Sequence, residues 1–463
     1  MVREVDRPIA SLLLLGVASG AVLTPLNTTM LAVGLPSIMT EFGLTAGEVS
    51  SLVTLYLGTV AVALPVGGSL SDRFGHHRVF VVGVLAFAAA SLLAAAATAF
   101  TMLEAARVLQ AMSGALVSTS SVALIREAAP RDRTGEAFGV FDLLVSMSAA
   151  AGPFIGGVLV AAFGWRSVFT LAVPLALTAA VVVGLMRSGF PPPAGDAATG
   201  GRSARPIDAI GLALLGLAIA CLVTVVRTGL AGVGLLALVA VAPLGVAFVR
   251  YELGRAEPAV DPRLFRMPGF AGATVGIFGS TIVLHGTFLL VPLLVERAIG
   301  GSAVESGVVL LGIAGVSAVV APFGGRASDR FGRRSLVVGG SLLLALGVGG
   351  LALPAALTSL VAVGVLLSVI GLGFGLAGAP RQAAAFDGIA ADRAGMAAGT
   401  YFTSRYLGGV VGAALGGAVL AGSTALGSFA LGFGLMAVVA IAVAVASLAL
   451  PAGAPRTGRI ALR

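Results

Sequence analysis

Apolar runs of about 20 residues, the length a helix needs to cross a bilayer, recur from one end of this chain to the other. Of its 463 residues 58% are hydrophobic and only 10% charged, and the mean hydropathy is +1.07. No water-soluble globular domain needs that much apolar surface. The runs are continuous and do not alternate with period two, which excludes a membrane-spanning barrel. The 66 glycines lie largely inside the runs, where they suit close helix–helix approach in lipid. The expectation is an all-α integral membrane protein of about fourteen spans. They fall near 9–36, 47–70, 79–100, 102–125, 136–163, 166–187, 208–227, 231–250, 270–295, 303–326, 335–354, 358–380, 395–421 and 427–450.

The net charge of +8 is carried by arginine, because the chain has no lysine. The arginines cluster in links between runs, so they read as topology signals and not as a nucleic-acid surface. Links holding Arg73 and Arg78, Arg126 to Arg133, Arg187 to Arg205, Arg250 to Arg266, Arg330 to Arg334, and Arg381 and Arg393 alternate with links holding only Arg166, Arg227 and Arg297. The arginine-rich side is expected to be cytoplasmic, with both chain ends there, in a plasma (cell inner) membrane. Cys221 stands alone in an apolar run and reads as a packing residue.

One polar link occurs twice. Gly68-Ser69-Leu70-Ser71-Asp72-Arg73-Phe74-Gly75-His76-His77-Arg78 and Gly325-Arg326-Ala327-Ser328-Asp329-Arg330-Phe331-Gly332-Arg333-Arg334 share the frame Gly-x-x-Ser-Asp-Arg-Phe-Gly. From Asp72 to Asp329 the offset is 257 residues, and it holds for each shared position. Two such links in an apolar chain imply a duplication into two pseudo-equivalent halves. The expected organisation is a six-helix bundle over 1–188, a Pro/Gly-rich linker over 189–207 and two inserted helices over 208–250. A second link over 251–269, a second six-helix bundle over 270–452 and a tail over 453–463 follow.

The doubled link resembles the cytoplasmic loop signature of the major facilitator superfamily of transporters. That resemblance implies a major facilitator fold in which Gly68, Asp72, Arg73, Gly75 and Arg78, with Gly325, Asp329, Arg330, Gly332 and Arg333, form gating loops. A network through Asp72 and Arg73 would stabilise the outward-facing state. His76 and His77 depart from the family's basic residues, and Ala327 from its leucine. The segment Gly139-x8-Ser148-x3-Gly152-Pro153-Phe154-Ile155-Gly156-Gly157 is similar to the family's antiporter motif, with Ser148 in place of one glycine. Physically, glycines one turn apart make a groove for a neighbouring helix, and Pro153 permits a kink. The motif favours exchange over uniport or symport.

Leu26-Asn27-Thr28-Thr29-Met30, Gly164-Trp165-Arg166-Ser167-Val168-Phe169, Leu264-Phe265-Arg266 and Arg405-Tyr406-Leu407-Gly408-Gly409 resemble motifs of the fourteen-helix drug–proton antiporters. This extends the resemblance over nearly the whole chain. It implies a small-molecule substrate, protons as coupling ion, a monomer set in membrane lipid, and a link to multidrug efflux and antibiotic resistance. Span four carries Arg107, Gln110 and Gly114 on one face, similar to the family's fourth-helix motif. There the arginine faces the central cavity and assists proton transfer. An arginine in a spanning helix is costly unless it meets water or a partner, and Glu104 one turn away is a competing partner.

Asn27 stands where the family has an acid, and it cannot titrate. If protons drive transport, the carrier lies elsewhere. Asp142 in span five is the first candidate, with a cap or a pair with Arg131 or Arg133 as its other reading. His285 in span nine is the second, with a hydrogen bond to Ser280 or a backbone carbonyl as its other reading. No phosphate-binding loop with lysine is possible, so energy comes from an ion gradient. The leading expectation is therefore a proton-coupled antiporter that exports lipophilic drugs or secondary metabolites. A symporter importing a small metabolite is its rival. With three histidines and one cysteine at no ligand spacing, no metal, cofactor or enzyme chemistry is expected, and no span offers the polar lining of a channel.

Overall fold

Thr45 and Glu48 start the second helix. The Thr45 hydroxyl accepts from the Glu48 N–H at 3.2 Å, and the Glu48 carboxylate accepts from the Thr45 N–H at 2.8 Å. This reciprocal cap satisfies two helix-end donors at once. Ser302 and Glu305 repeat it with 3.2 and 2.7 Å. Thr45 to Ser302 is the same offset of 257 residues that relates Asp72 to Asp329, so the duplication reaches the opposite end of these helices.

The computed structural model describes residues 7–128, 134–185, 208–228, 232–255, 258, 262–387, 389, 394–421 and 425–451. The helices in chain order are α1 (Arg7–Glu41), α2 (Ala46–Phe74), α3 (His76–Ala95), α4 (Phe100–Ala128), α5 (Thr134–Phe163), α6 (Arg166–Thr170), α7 (Ala172–Leu185), α8 (Ala209–Thr228) and α9 (Val233–Leu253). They continue as α10 (Pro268–Leu293), α11 (Ala303–Phe331), α12 (Arg333–Leu351), α13 (Leu360–Phe386), α14 (Ala394–Leu420) and α15 (Leu426–Ser447). A short π-helical stretch, Leu294–Ile299, extends α10.

Every expected apolar segment coincides with one of these helices, α6 and α7 together forming the sixth. Among the described residues 12 stretches are long and apolar enough to cross a membrane. The apolar part of α8, Ala209–Val225, is shorter. α14 is not among the 12, and its early turns carry the polar run Thr400-Tyr401-Phe402-Thr403-Ser404-Arg405-Tyr406.

The two copies of the polar link form the same elbow. α2 ends at Phe74 and α3 begins at His76, with Gly75 between them at φ 88. α11 ends at Phe331 and α12 begins at Arg333, with Gly332 at φ 83. Each glycine donates its N–H back to a serine carbonyl, Ser71 at 3.1 Å and Ser328 at 3.0 Å. With ψ of 134 and 147 these glycines occupy a positive-φ region that is nearly glycine-only, and a side chain there is strained by roughly 1–3 kcal/mol. Gly75→Ala and Gly332→Ala are therefore each expected to lower stability by about that amount, and the double variant by about the sum. Equilibrium unfolding in mixed micelles measures it.

The contacts divide the chain into two units, one of residues 1–248 with 302–307 and one of 249–301 with 308–463. Within the first, α1 packs on α5, α4 and α7, α3 packs on α4 and α7, and α2 packs on α4 and α8. Within the second, α10 packs on α14, α13 and α15, and α12 packs on α13 and α15. Shifted by the repeat, the pairings of α1 and α3 in the first unit recur as those of α10 and α12 in the second. The first core centres on Leu23, Phe80, Val84, Phe87, Leu124 and Ala176, and the second on Phe270, Ile277, Val337, Ala385, Tyr401 and Leu450. α9 buries little of its surface, and its Leu236 and Val239 are exposed, as expected of a helix facing lipid.

One latch lies at the far end of α1. The guanidinium of Arg166 donates to both Glu41 oxygens, at 2.7 and 2.9 Å, and to the carbonyl of Ala97 at 2.9 Å. Trp165 donates its indole N–H to the same carboxylate at 2.7 Å. The Gly164-Trp165-Arg166 motif thus ties the ends of α1 and α3 to the start of α6.

Candidate functional site

The site is built where α4 meets α1, α2 and α3. A turn of helix sets Arg107 beside Gln110, and both side chains are fully buried. Nη1 of Arg107 donates to Gln110 Oε1 at 2.9 Å and to Asn27 Oδ1, on α1, at 2.7 Å. Gln110 passes the chain on, donating from Nε2 to Ser91 Oγ of α3 at 2.7 Å, and Ser91 donates to the Phe87 carbonyl. Asn27 donates in turn to the Val168 carbonyl at 3.4 Å. The guanidinium carbon lies 3.9 Å from the centre of the Tyr56 ring of α2, a cation–π contact of the close kind. Leu23, Leu26, Met30, Val168, Leu171 and Ala172 surround Asn27 and leave no room for a water.

Glu104 does not partner Arg107. It accepts instead from Ser51 Oγ at 2.5 Å. Asn27, Arg107 and Gln110 are therefore brought together in one network, and the charge at its centre is held by neutral groups.

α5 lies alongside. A Cβ on Gly156 would come 2.8 Å from the Met30 carbonyl oxygen and 2.9 Å from its Cα, and one on Gly152 would strike Thr29. These glycines seat α5 directly on the backbone of α1. Pro153 lies inside the same helix. Ser148, in the place of a family glycine, turns its hydroxyl onto the Val145 carbonyl at 2.7 Å. Gly157 abuts Ala303 of the short 302–307 segment that clusters with this unit. Gly408 and Gly412 of α14 play the same part against α10, facing Phe278 and Ile282. Gly139 lies in α5, and its surroundings, like the side chains of Asp142 and Asp329, lie outside the described residues.

His285 is not part of the Arg107 network. Its Nδ1 lies 3.1 Å from the Thr281 carbonyl one turn back on α10, which is the backbone alternative raised above. Ser280 is engaged elsewhere, by Arg381. That arginine is a correction. The sequence places it in a polar link after a span ending at residue 380, but α13 runs on to Phe386 and buries Arg381 to 1% exposure. Its Nη1 donates to Ser280 Oγ at 2.9 Å and its Nη2 to Ser341 Oγ at 3.2 Å. Gly276 makes room for it, since a Cβ there would stand 3.0 Å from Nε.

At the elbows Asp72, Arg73, Arg78 and Arg330 are exposed. Arg73 lies 5.5 Å from the Phe74 ring, and Arg330 stands at the same distance from Phe331. Gly68 and Gly325 sit one turn before the two aspartates. Ser71 Oγ and His76 Nδ1 are 2.7 Å apart. Arg333 pairs with Asp387 at the end of α13. Tyr56, Ser91 and Ser341 are absent from the residues the sequence singles out, and Ser280 and Arg381 enter there only as a possible partner of His285 and as a topology signal. Tyr56 left one signal, being one of only 4 tyrosines in the chain, in an otherwise apolar run.

A helical chain of bilayer length repeats, with matched packing in its two units and a charge buried in a spanning helix, has the architecture of a multi-pass membrane transporter. The chain belongs to the Major Facilitator Superfamily, whose sequence profile matches residues 17–413. It is 32% identical over 411 residues to the tetracenomycin C resistance and export protein of Streptomyces glaucescens, covering 87% of this chain and 74% of that one. It is 30% identical over 409 residues to a multidrug resistance protein B homologue of Mycobacterium tuberculosis, covering 85% and 73%. Among solved structures, a peptide transporter, POT, in complex with sulfate superposes with a TM-score of 0.70 at 16% identity, over 94% of this chain and 93% of that one. A bacterial homologue of the human lysosomal transporter Spinster gives 0.69 at 15%, over 96% and 97%.

Proposed function

We propose that the protein is a proton-coupled antiporter that exports lipophilic drugs or secondary metabolites by alternating access. The observation that carries this reading is the seating of Gly152 and Gly156 on the α1 backbone, beside the Arg107 network. It ties the antiporter-type motif of α5 to the helix that bears Asn27, so that movement of α5 and the charged network are coupled mechanically. The names of the two relatives, one for resistance and export of tetracenomycin C and one for multidrug resistance, support the direction of transport. The protein works as a monomer of fourteen spans in the plasma membrane with both ends in the cytoplasm, and the Asp72 and Asp329 elbows act as its gating loops.

Asn27 takes no proton, and in this reading Asp142 is the carrier, with His285 the second candidate. A carboxylate moved into low dielectric gains affinity for protons. In proteoliposomes with an internal pH dye, candidate substrates are expected to release protons in native protein. Asp142→Asn is expected to abolish that release while substrate still binds. Proton release that survives in Asp142→Asn removes the carrier assignment, and substrate flux indifferent to the pH gradient removes antiport.

A further inference from the structure

Arg107 presents five N–H donors. Its Nη1 serves both Asn27 and Gln110. The N–H groups of Nε and Nη2 have no partner among the described residues, although the side chain is fully buried. These two nitrogens form one edge of the guanidinium, the fork whose geometry matches the two oxygens of a carboxylate. The Tyr56 and Thr24 hydroxyls face one another, with that of Thr28 close by. Both stand beside Gly114, where a Cβ would lie 3.5 Å from the first and 2.8 Å from the second. The fork therefore stands unused beside the Tyr56 ring.

No described carboxylate of this unit answers the charge. Glu41 holds Arg166, Glu48 caps α2, Glu104 takes the Ser51 hydroxyl, and Asp208 accepts from the Gly211 N–H at the start of α8. Asp142 lies ten residues before Gly152, which packs level with Leu26 and Thr29. That puts it roughly 15 Å along α5 from the Asn27 level. A buried guanidinium with no counter-charge is costly, and a family acid at position 27 would remove much of the cost.

We propose that the cargo supplies the missing charge. Arg107, with Asn27 in place of an acid, makes this chain selective for lipophilic compounds that carry an ionised carboxylate or acidic phenol. The acid docks on the Nε/Nη2 edge. The side chains are closed over the network in this state, so the compound enters when alternating access opens the site, its apolar body against the aliphatic side chains around Asn27. Asn27 keeps Nη1 oriented without neutralising the charge that the cargo needs. This rests on the export reading above and narrows its substrate class.

The test uses purified full-length protein and a panel of lipophilic aryl acids, 2-naphthoic acid among them, each beside its methyl ester. Binding is read as a shift in melting temperature, and export as flux in proteoliposomes under a pH gradient. The native protein is expected to favour each acid over its ester by at least about tenfold, the weight of one or two charge-assisted hydrogen bonds. Asn27→Asp, nearly isosteric, supplies an internal counter-charge and is expected to erase the preference while raising the melting temperature of the free protein. Arg107→Lys keeps a charge but loses the fork, and is expected to erase it as well. Equal handling of acids and esters by the native protein, or a preference that survives both substitutions, overturns the proposal while export itself stands. If no compound of either kind binds or moves, the export reading falls and this proposal with it.

Discussion

Gly156→Val will leave α5 unable to seat on α1, and the purified protein will lose its cooperative melting transition. The added atoms meet backbone, because a Cβ would lie 2.8 Å from the Met30 carbonyl oxygen and 2.9 Å from its Cα. A flexible side chain could swing aside, but a helix backbone has to move as a whole. Overpacking a well-fitted core costs about 1–3 kcal/mol where neighbours can adjust, and here the helices themselves have to part. Helix association in lipid depends on such close fit, since lipid tails are as apolar as the side chains they replace. Gly184→Val is the control, with nothing within 4 Å of its Cβ position, and is expected to melt as the native protein does. A native melting curve for Gly156→Val would show that the two helices do not meet as described.

Arg107→Met will retain the fold and lose transport. The substitution removes a buried charge that no described carboxylate balances, and replacing a buried charge by an apolar side chain of similar volume is often neutral or stabilising. Against this, Asn27 and Gln110 each lose a donor, at about 1–3 kcal/mol per orphaned group. The two terms oppose, so the melting temperature should move by only a few degrees. Function has no such compensation. Loss of the fork and the charge together is worth roughly 3–5 kcal/mol, and flux is expected to fall by at least about a hundredfold. Flux in reconstituted vesicles, measured beside a melting curve of the same preparation, separates the two effects. Native flux in Arg107→Met would remove the network from the transport path.

Much of the architecture was legible in the chain because bilayer-length apolar runs and a doubled polar link are local patterns. Each run became a helix, and the shared spacing of Asp72 and Asp329 carried over to Gly75 and Gly332 in the elbows. Arg107 and Gln110 were legible as one helical face. Their partners were not, because Asn27 and Ser91 lie on other helices and no local pattern brings them together. Arg381 misled the reading for a related reason. A charge after an apolar run looks like the end of a span, yet Ser280 and Ser341, far away in the chain, supply the hydrogen bonds that let α13 continue. The caps at Thr45 and Ser302 were written in the sequence as Thr-x-x-Glu and Ser-x-x-Glu, but hydropathy does not weigh them.

The paired caps and elbows have a consequence for building with this chain. Each of the two 29-residue helices α2 and α11 carries its own start in the residues before it and its own stop in the glycine after it. Such a piece takes its bounds from local instructions and borrows neither end from its neighbours. The stretch 302–332 can therefore be grafted in place of 45–75, register intact, as an interchangeable part whose fit then depends only on the side chains along its flanks.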